Sequence, residues 1–477
     1  MRASLKLGYG IGQISDGVKQ TSFSIFLFFY YQQVLGLSGT LAGTAGLLAL
    51  IVDAITDPMV GQLSDRFKSR WGRRHPFMLV GAIPFGLAMF LLFSPPAGLE
   101  TAGLFSWMLG WAVVVRLLLT FFFVPHLSLG AEMVRDYHER TSLIAYRVFF
   151  SFAGGLVVAA VGFIVFFPPS EAFPNGMLNA ASYPTFGLFA GVFGALAMFW
   201  SIYATRSTIP ELTKPIDDPD ASHPLLGFIT VFQTLKHKAF RILFSTTMLF
   251  MIMAGVTQTL IIYVGTYLFG FAPQHLGLLV FGPVIGIVAA PAVAKRMSRK
   301  MDKRRTLATC VIIGSMIAFL PQVLFLTGVL QPLELTTRLL IVFLAHGVSQ
   351  TFFIAYIIII DSMLSDTIDE HELRSGRREE GLYFAARSFA TKAAYGLGSF
   401  FAGIMLDVIR FPQGANPTDV PLDALTKLAI VAGPMSAVLF MVTVLISRNY
   451  PLDAARHKEI IRDIEARAAT AGAQANP

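Results

Sequence analysis

Two aspartates four residues apart inside an apolar run are the side chains of this 477-residue sequence most clearly able to do chemistry. They lie in Leu48-Ala49-Leu50-Ile51-Val52-Asp53-Ala54-Ile55-Thr56-Asp57-Pro58. If the run is helical, that spacing puts both carboxylates on one face, with the Thr56 hydroxyl close by. An ionised carboxylate in hydrocarbon costs at least about 2.5–3.5 kcal/mol. Two of them also repel each other, so they require a cation, a basic partner or a shared proton. Hard oxygen ligands suit a small cation such as sodium, whereas burial raises a carboxylate pKa and suits a proton. A static salt bridge between helices is the plainer alternative.

Three basic residues share this unusual placement. Arg116 lies midway along an apolar run, with Thr120 one turn later on the same face. Arg147 stands about two turns into the next run, and Lys392 lies 10–12 residues into a late one, too deep to snorkel. Either arginine could neutralise Asp53 or Asp57, or hold an anionic or hydroxylated substrate in its planar fork. Tyr30, Tyr31, His126, Gln258, Gln350 and Tyr395 are weaker candidates, because polar groups in membrane helices often just bond across to a neighbour. Asp361 and Arg387 fall near the ends of their runs and read as interfacial. In the run Gly61 to Arg74, Asp65 can pair with Arg66, Arg70 or a neighbouring helix. Such a cluster suits a gate that breaks and reforms, or it serves only as topogenic charge.

The elements that must position these groups are transmembrane helices. Hydrophobic residues make up 55% of the chain and charged residues 14%, against about 25% charged in ordinary soluble proteins. About 20 apolar residues cross a bilayer, and the backbone there must satisfy itself, which selects helices. The alternating 10-residue pattern of an outer-membrane barrel is missing. Spans are expected at 8–33, 39–64, 76–95, 103–133, 142–167 and 184–206, then at 239–269, 276–295, 305–329, 336–365, 380–409 and 424–447. The fold class is therefore all-α integral membrane, with twelve helices in two six-helix bundles, 1–206 and 239–447, joined by a proline-containing linker, 207–238. A tail, 448–477, reads as a charged surface helix from Asp453 to Thr470 followed by disorder.

Charge sets the expected orientation. Lys and Arg concentrate at Arg66–Arg74, Arg135 and Arg140, Lys295–Arg305 and Arg374–Arg378, while the loops Pro95–Ala102, Pro168–Tyr183 and Gly270–Gly277 carry none. The basic loops and both termini are then cytoplasmic. The net charge of +8 is topogenic and no nucleic-acid footprint, and the lone Cys310 excludes a disulfide framework. No cleavable signal peptide is evident. The nine histidines are scattered without a ligand-spaced pair inside a span, which argues against a membrane enzyme or a resident metal. The halves echo each other, Gly46-Leu47-Leu48 against Gly277-Leu278-Leu279, as expected of a carrier built from repeats around a central site. The corresponding part of span eight offers only Val284 and Val288, which confines any cation site to the first half.

The run Gly61 to Arg74 resembles the loop signature of the major facilitator superfamily. More specifically, the chain resembles the glycoside–pentoside–hexuronide:cation symporters, the family of the melibiose permease. The resemblance rests on Lys6-Leu7-Gly8-Tyr9-Gly10, Asp53-Ala54-Ile55-Thr56-Asp57-Pro58, Ser69-Arg70-Trp71-Gly72, Val124-Pro125-His126-Leu127-Ser128-Leu129 and Asp366-Thr367-Ile368-Asp369. It implies a cation site at Asp53, Thr56, Asp57 and Thr120, and a central cavity that includes Arg147 and Lys392. It also marks departures. Thr56 replaces the family's asparagine. Phe123 stands for the galactoside carboxylate, Leu127 and Ile357 for tryptophans, and Gly17 for a helix-one carboxylate that is one residue from Asp16.

Family membership implies a sugar or glycoside, while the apolar replacements fit an amphiphile such as a lysophospholipid, carried by sodium-dependent relatives of this fold. The expectation is a cation-coupled symporter working by alternating access as a monomer in a bacterial inner membrane, with Na+ or H+ as coupling ion and no cofactor. Expected cavity residues are Lys392, Arg147, Arg116, Phe123, Leu127, His126, Ile357, Tyr30 and Tyr395; expected gating residues are Asp65, Arg66 and Arg70.

Overall fold

A computed structural model describes residues 2–134, 137–211, 234–376 and 379–475. Most of the expected linker, together with Arg135, Arg377 and Arg378, lies outside the described residues. Among those described, every regular element is a helix, and eleven helices are long and apolar enough to cross a membrane. The expected first span is helical but segmented: α1 (Ala3–Ile11), α2 (Ile14–Thr21), then π-helical turns at Ser22–Leu27 and Tyr30–Val34. It is therefore not counted among the eleven.

The chain continues through α3 (Gly39–Arg66), α4 (His75–Leu92), α5 (Thr101–Met133), α6 (Tyr137–Val161) and α7 (Ser182–Thr205). Then come α8 (Lys238–Tyr263), α9 (Pro273–Leu279), α10 (Gly282–Lys300), α11 (Lys303–Leu326), α12 (Leu335–Ser375) and α13 (Glu380–Val408). The last three are α14 (Leu422–Ile430), α15 (Ser436–Ser447) and α16 (Ala454–Ala475). Expected span eight is thus split into α9 and α10. Expected span ten ends ten residues late, at Ser375 rather than 365, because its polar last turns run on as helix until Gly376 adopts φ 70° and stops it.

The chain divides into two compact units. One comprises Met1–Pro224, Gln258–Val280 and Ser399–Leu428; the other comprises Leu225–Thr257, Phe281–Gly398 and Ala429–Pro477. In the first unit α3 packs on α5, α4 on α5 and α7, and α2 on α6. Tyr30, Tyr183, Phe93, Phe26 and Phe186 form an aromatic core there, with Tyr30 and Tyr183 stacked 3.9 Å apart. In the second, α12 packs on α10 and α11, and the Phe250 ring of α8 stacks on Tyr356 of α12 at 3.8 Å.

Close backbone approach holds the first unit together where α3 begins. A Cβ on Gly403 would lie 2.0 Å from the Gly39 carbonyl oxygen, and one on Gly43 2.7 Å from the Phe400 Cα. Only glycine admits such proximity, which is how membrane helices associate without a hydrophobic drive. Asp407 uses the contact to cap α3. Its two carboxylate oxygens accept from Gly39 N at 2.8 Å and Thr40 N at 2.7 Å, helix-end donors that otherwise lack partners. Beside it, Tyr263 and Tyr267 donate to Gln32 and Gln33 at 2.6 and 3.0 Å.

A backbone feature recurs along the chain, in a register that differs from the expected echo. Gly36 and Gly270 both adopt positive φ (75° and 70°), and each follows a π-helical segment, Tyr30–Val34 and Val264–Leu268. The offset is therefore 234 (Gly36 to Gly270), which pairs Gly43, not Gly46, with Gly277. Asp53 and Asp57 then correspond to Ile287 and Pro291, replacing Val284 and Val288, and both counterparts remain apolar. The tail is also corrected. α16 runs past Thr470 to Ala475, and it is tied down by His457 Nε2 at 3.0 Å from Asp369 and by Arg467 donating to the Leu373 carbonyl.

The seam yields a test. Gly403→Val should cost about 1–3 kcal/mol by overpacking, read as a lower melting temperature of the detergent-solubilised protein. Gly46→Val, whose Cβ meets nothing within 4 Å, should leave it unchanged.

Candidate functional site

Asp53 and Asp57 stand one turn apart on α3, and Arg116 and Thr120 one turn apart on α5, so the two pairs face each other across packed helices. Arg116 Nη1 donates to Asp53 Oδ2 at 3.1 Å. Thr120 Oγ1 lies 2.9 Å from Asp53 Oδ1 and 2.8 Å from Asp57 Oδ1. Pro58 has no N–H, so the Ala54 carbonyl beside the cluster lacks its helical donor. Thr56 is turned to other work: its hydroxyl donates to the Asp53 carbonyl at 3.3 Å. The arrangement is an oxygen-rich cluster carrying two carboxylates, one hydroxyl and one guanidinium, in which the Arg116 Nε is buried and lacks a hydrogen-bond partner.

A second charged group lies on α2. Ser151 of α6 donates to Asp16 Oδ2 at 3.1 Å, and Lys19 Nζ stands 3.8 Å from Asp16 Oδ1. Lys19 did not feature among the sequence candidates, although it lies as deep in expected span one as Lys392 does in span eleven. Depth, applied to every Lys, would have found it. Arg147 of α6 lies near the Tyr9 hydroxyl of α1 and acts on it electrostatically. Phe123 and Leu127 are half-buried on α5. Lys392, Tyr395 and Ile357 belong to the second unit, with Lys392 exposed and the other two half-buried. Asp361 and Arg387, read as interfacial, pair there at 2.8 Å.

Two expected cavity residues are core residues. His126 is fully buried; its ring stacks on Tyr9 at 4.1 Å, Nδ1 lies 3.2 Å from Gln13, and Nε2 lies 3.0 Å from the Tyr9 carbonyl. With both nitrogens engaged, it links α1, α5 and, through Ser201, α7. Tyr30 is likewise buried against Tyr183. Polar side chains inside apolar runs look alike in sequence whether they face a cavity or a neighbouring helix.

The charged cluster around Asp65 uses different arginines from those expected. Arg74 pairs with Asp65 and also reaches Glu132 at 2.9 Å and Ser64 at 2.7 Å, while Arg73 reaches Glu132 at 2.8 Å. Arg66 and Arg70 are exposed, and Arg70 lies over the Trp71 ring at 5.7 Å. The reason is geometric. α3 ends at Arg66, and the following turn throws Arg70 outward before Arg73 and Arg74 return at the start of α4, beside the end of α5 that carries Glu132.

Several known proteins match this chain. The profile described as MFS/sugar transport protein matches residues 8–454. The uncharacterized symporter YnaJ of Bacillus subtilis is 27% identical over 97% of this chain and 94% of its own length. The isoprimeverose transporter of Lactiplantibacillus pentosus is 24% identical over 84% and 80%. In structure, a bacterial homologue of the human lysosomal transporter Spinster superposes with a TM-score of 0.65, at 14% identity over 96% of this chain and 97% of that one, and so shares its fold.

Burial ranks the members of this charged cluster. Asp65 is 54% exposed, whereas Glu132 and Arg74 are 12% and 4% exposed. Glu132→Gln should therefore destabilise by about 3–5 kcal/mol, and Asp65→Asn by about 1 kcal/mol or less. Thermal unfolding of the two purified variants compares them.

Proposed function

The chain belongs to the MFS/sugar transport protein family and is a multi-pass membrane transporter rather than an enzyme, and from that premise we propose that it is a cation-coupled symporter of a sugar or glycoside. Asp53, Asp57 and Thr120 form the coupling-ion site, and the observation that carries this reading is the Thr120 hydroxyl shared between two carboxylates. A cluster of this kind in hydrocarbon is costly when empty of positive charge and stable when filled. The ion is Na+ or H+. Its binding removes the repulsion between the carboxylates and raises affinity for the substrate, which by linkage tightens the ion in return.

Within the first unit, Arg147, Phe123 and Leu127 contact the substrate in this proposal, and the contacts among Asp65, Arg74 and Glu132 break and reform as the carrier alternates. The carrier acts as a monomer in a bacterial inner membrane, with its basic loops and both termini cytoplasmic. Its sugar cargo draws support from the family's description and from the isoprimeverose transporter among its relatives. A second reading, an amphiphile such as a lysophospholipid, is favoured by the apolar Phe123, Leu127 and Ile357.

Proteoliposome counterflow tests the carrier, because only a carrier exchanges substrate across the bilayer. Thermal-shift screening with sugars and lysolipids, with and without sodium, selects the substrate for it. Asp57→Cys should abolish concentrative uptake while leaving folded protein in the membrane; full cation-dependent uptake by that variant refutes the site. Thr120→Val should weaken the cation response about tenfold or more, at about 1.4 kcal/mol per decade, while Thr120→Ser retains it.

A further inference from the structure

We infer that Asp366, Asp369 and His457 form a site for a divalent transition ion of the zinc type, which staples α16 to the end of α12. All three residues belong to the second unit, and the inference is independent of the transport reading. Asp366 and Asp369 stand three residues apart near the end of α12, so both carboxylates leave the same face. His457 enters from the first turn of α16, which packs on α12. Its Nε2 lies 3.0 Å from Asp369 Oδ2 and 3.5 Å from Asp366 Oδ1, and one ligand atom from each of the three residues falls within 4.8 Å of the others. Zinc bonds of about 2.0–2.2 Å to nitrogen and carboxylate oxygen put tetrahedral ligands about 3.3–3.6 Å apart. Both contacts of His457 fall close to that edge.

Surrounding contacts fix the three ligands in place. Tyr450 donates to the Met363 carbonyl at 2.8 Å, and Asp453 Oδ1 caps α16 by accepting from Arg456 N at 2.8 Å, so the chain enters α16 in a set register. Ile460, one turn beyond His457 on the same face, is fully buried. Lys303 of α11 donates to both oxygens of Asp366, at 2.8 and 2.7 Å. Carboxylates that hold metals are oriented by such partners, and the ammonium can stay on Oδ2 while Oδ1 turns to the ion. With its ring proton on Nδ1, His457 presents a lone pair at Nε2. No unpaired charge is required, because bonds to the metal replace the hydrogen bonds that His457 makes to the two carboxylates. The side chains of Asp366 and Asp369 are 11% and 13% exposed and that of His457 27%, so an entry path runs past the imidazole. One imidazole nitrogen and two carboxylate oxygens, with water completing the shell, suit zinc and its neighbours, whereas calcium and magnesium call for six or more oxygens.

The experiment takes full-length protein in detergent, stripped with EDTA and desalted, and titrates it with ZnCl2, MgCl2 or CaCl2 at fixed pH. Melting temperature is followed together with tryptic cleavage in α16, where Lys458, Arg462 and Arg467 offer sites. Zinc should raise the melting temperature and slow cleavage at those residues, because an ion that binds only the docked tail stabilises it by mass action. Magnesium and calcium at the same concentration should do neither. His457→Gln keeps a donor toward Asp369 but loses the imidazole, so α16 should stay docked in EDTA while the zinc midpoint rises about tenfold or more. Asp369→Asn should lose the zinc response likewise, and His457→Gln keeps the inference testable even if that variant folds poorly. His371→Gln removes a neighbouring imidazole of α12, one that pairs with Glu379 at 3.4 Å, and should leave the zinc response unchanged. A wild type indifferent to zinc, a zinc response that survives His457→Gln, one that is lost with His371→Gln, or an equal response to magnesium overturns the assignment.

Discussion

A carboxylate inside a membrane helix has to be balanced by positive charge or protonated, and much of what is distinctive in this chain follows from that constraint. Asp53 and Asp57 sit on successive turns of α3, and α5 answers them with a guanidinium and a hydroxyl at the same spacing. The match of periods matters more than any single contact. Residues four apart on each of two packed helices meet as two facing pairs, so one close helix–helix contact assembles the whole cluster. Pro58 adds a backbone carbonyl without its usual donor at the same depth.

Positioning such a cluster requires helices that pack closely without help from the hydrophobic effect, which does not act between helices already in lipid. The first unit solves this with glycine. Gly39, Gly43 and Gly403 let backbones meet, and Asp407 turns the resulting proximity into a cap on the exposed N–H groups of α3. Polar side chains then tie helices at several levels, with His126 joining three of them and Glu132 gathering Arg73 and Arg74. Each such group is buried with its partner, and removing one partner leaves the other's desolvation uncompensated.

How far the site could be read in advance depended on the kind of signal. Asp53, Asp57, Arg116 and Thr120 were legible because a charge in an apolar run is costly and a four-residue spacing fixes the face. Lys19 carried the same depth signal and was passed over. Glu132 and Asp407 had no such signal, since each lies at a helix end where carboxylates are common. The partner of Asp65 was not legible, because nearness in sequence suggested Arg66 and Arg70, whereas the turn after α3 decides that Arg74 returns to it. The echo expected from composition differs by three residues from the offset between the positive-φ glycines Gly36 and Gly270, which are backbone facts with no composition to betray them.

The sequence by itself determined the all-helical membrane architecture, the approximate spans and the pairs of charged and hydroxyl residues that share one face of a helix. These follow from hydropathy, from the backbone's need to bond internally in lipid, and from the 3.6-residue period. Only the tertiary structure decided that Arg116 pairs with Asp53, that Thr120 bridges both aspartates, that His126 is core, and that Arg74 takes Asp65. Each of these depends on which helix lies alongside which and at what height, and hydrocarbon does not encode that arrangement in any local pattern.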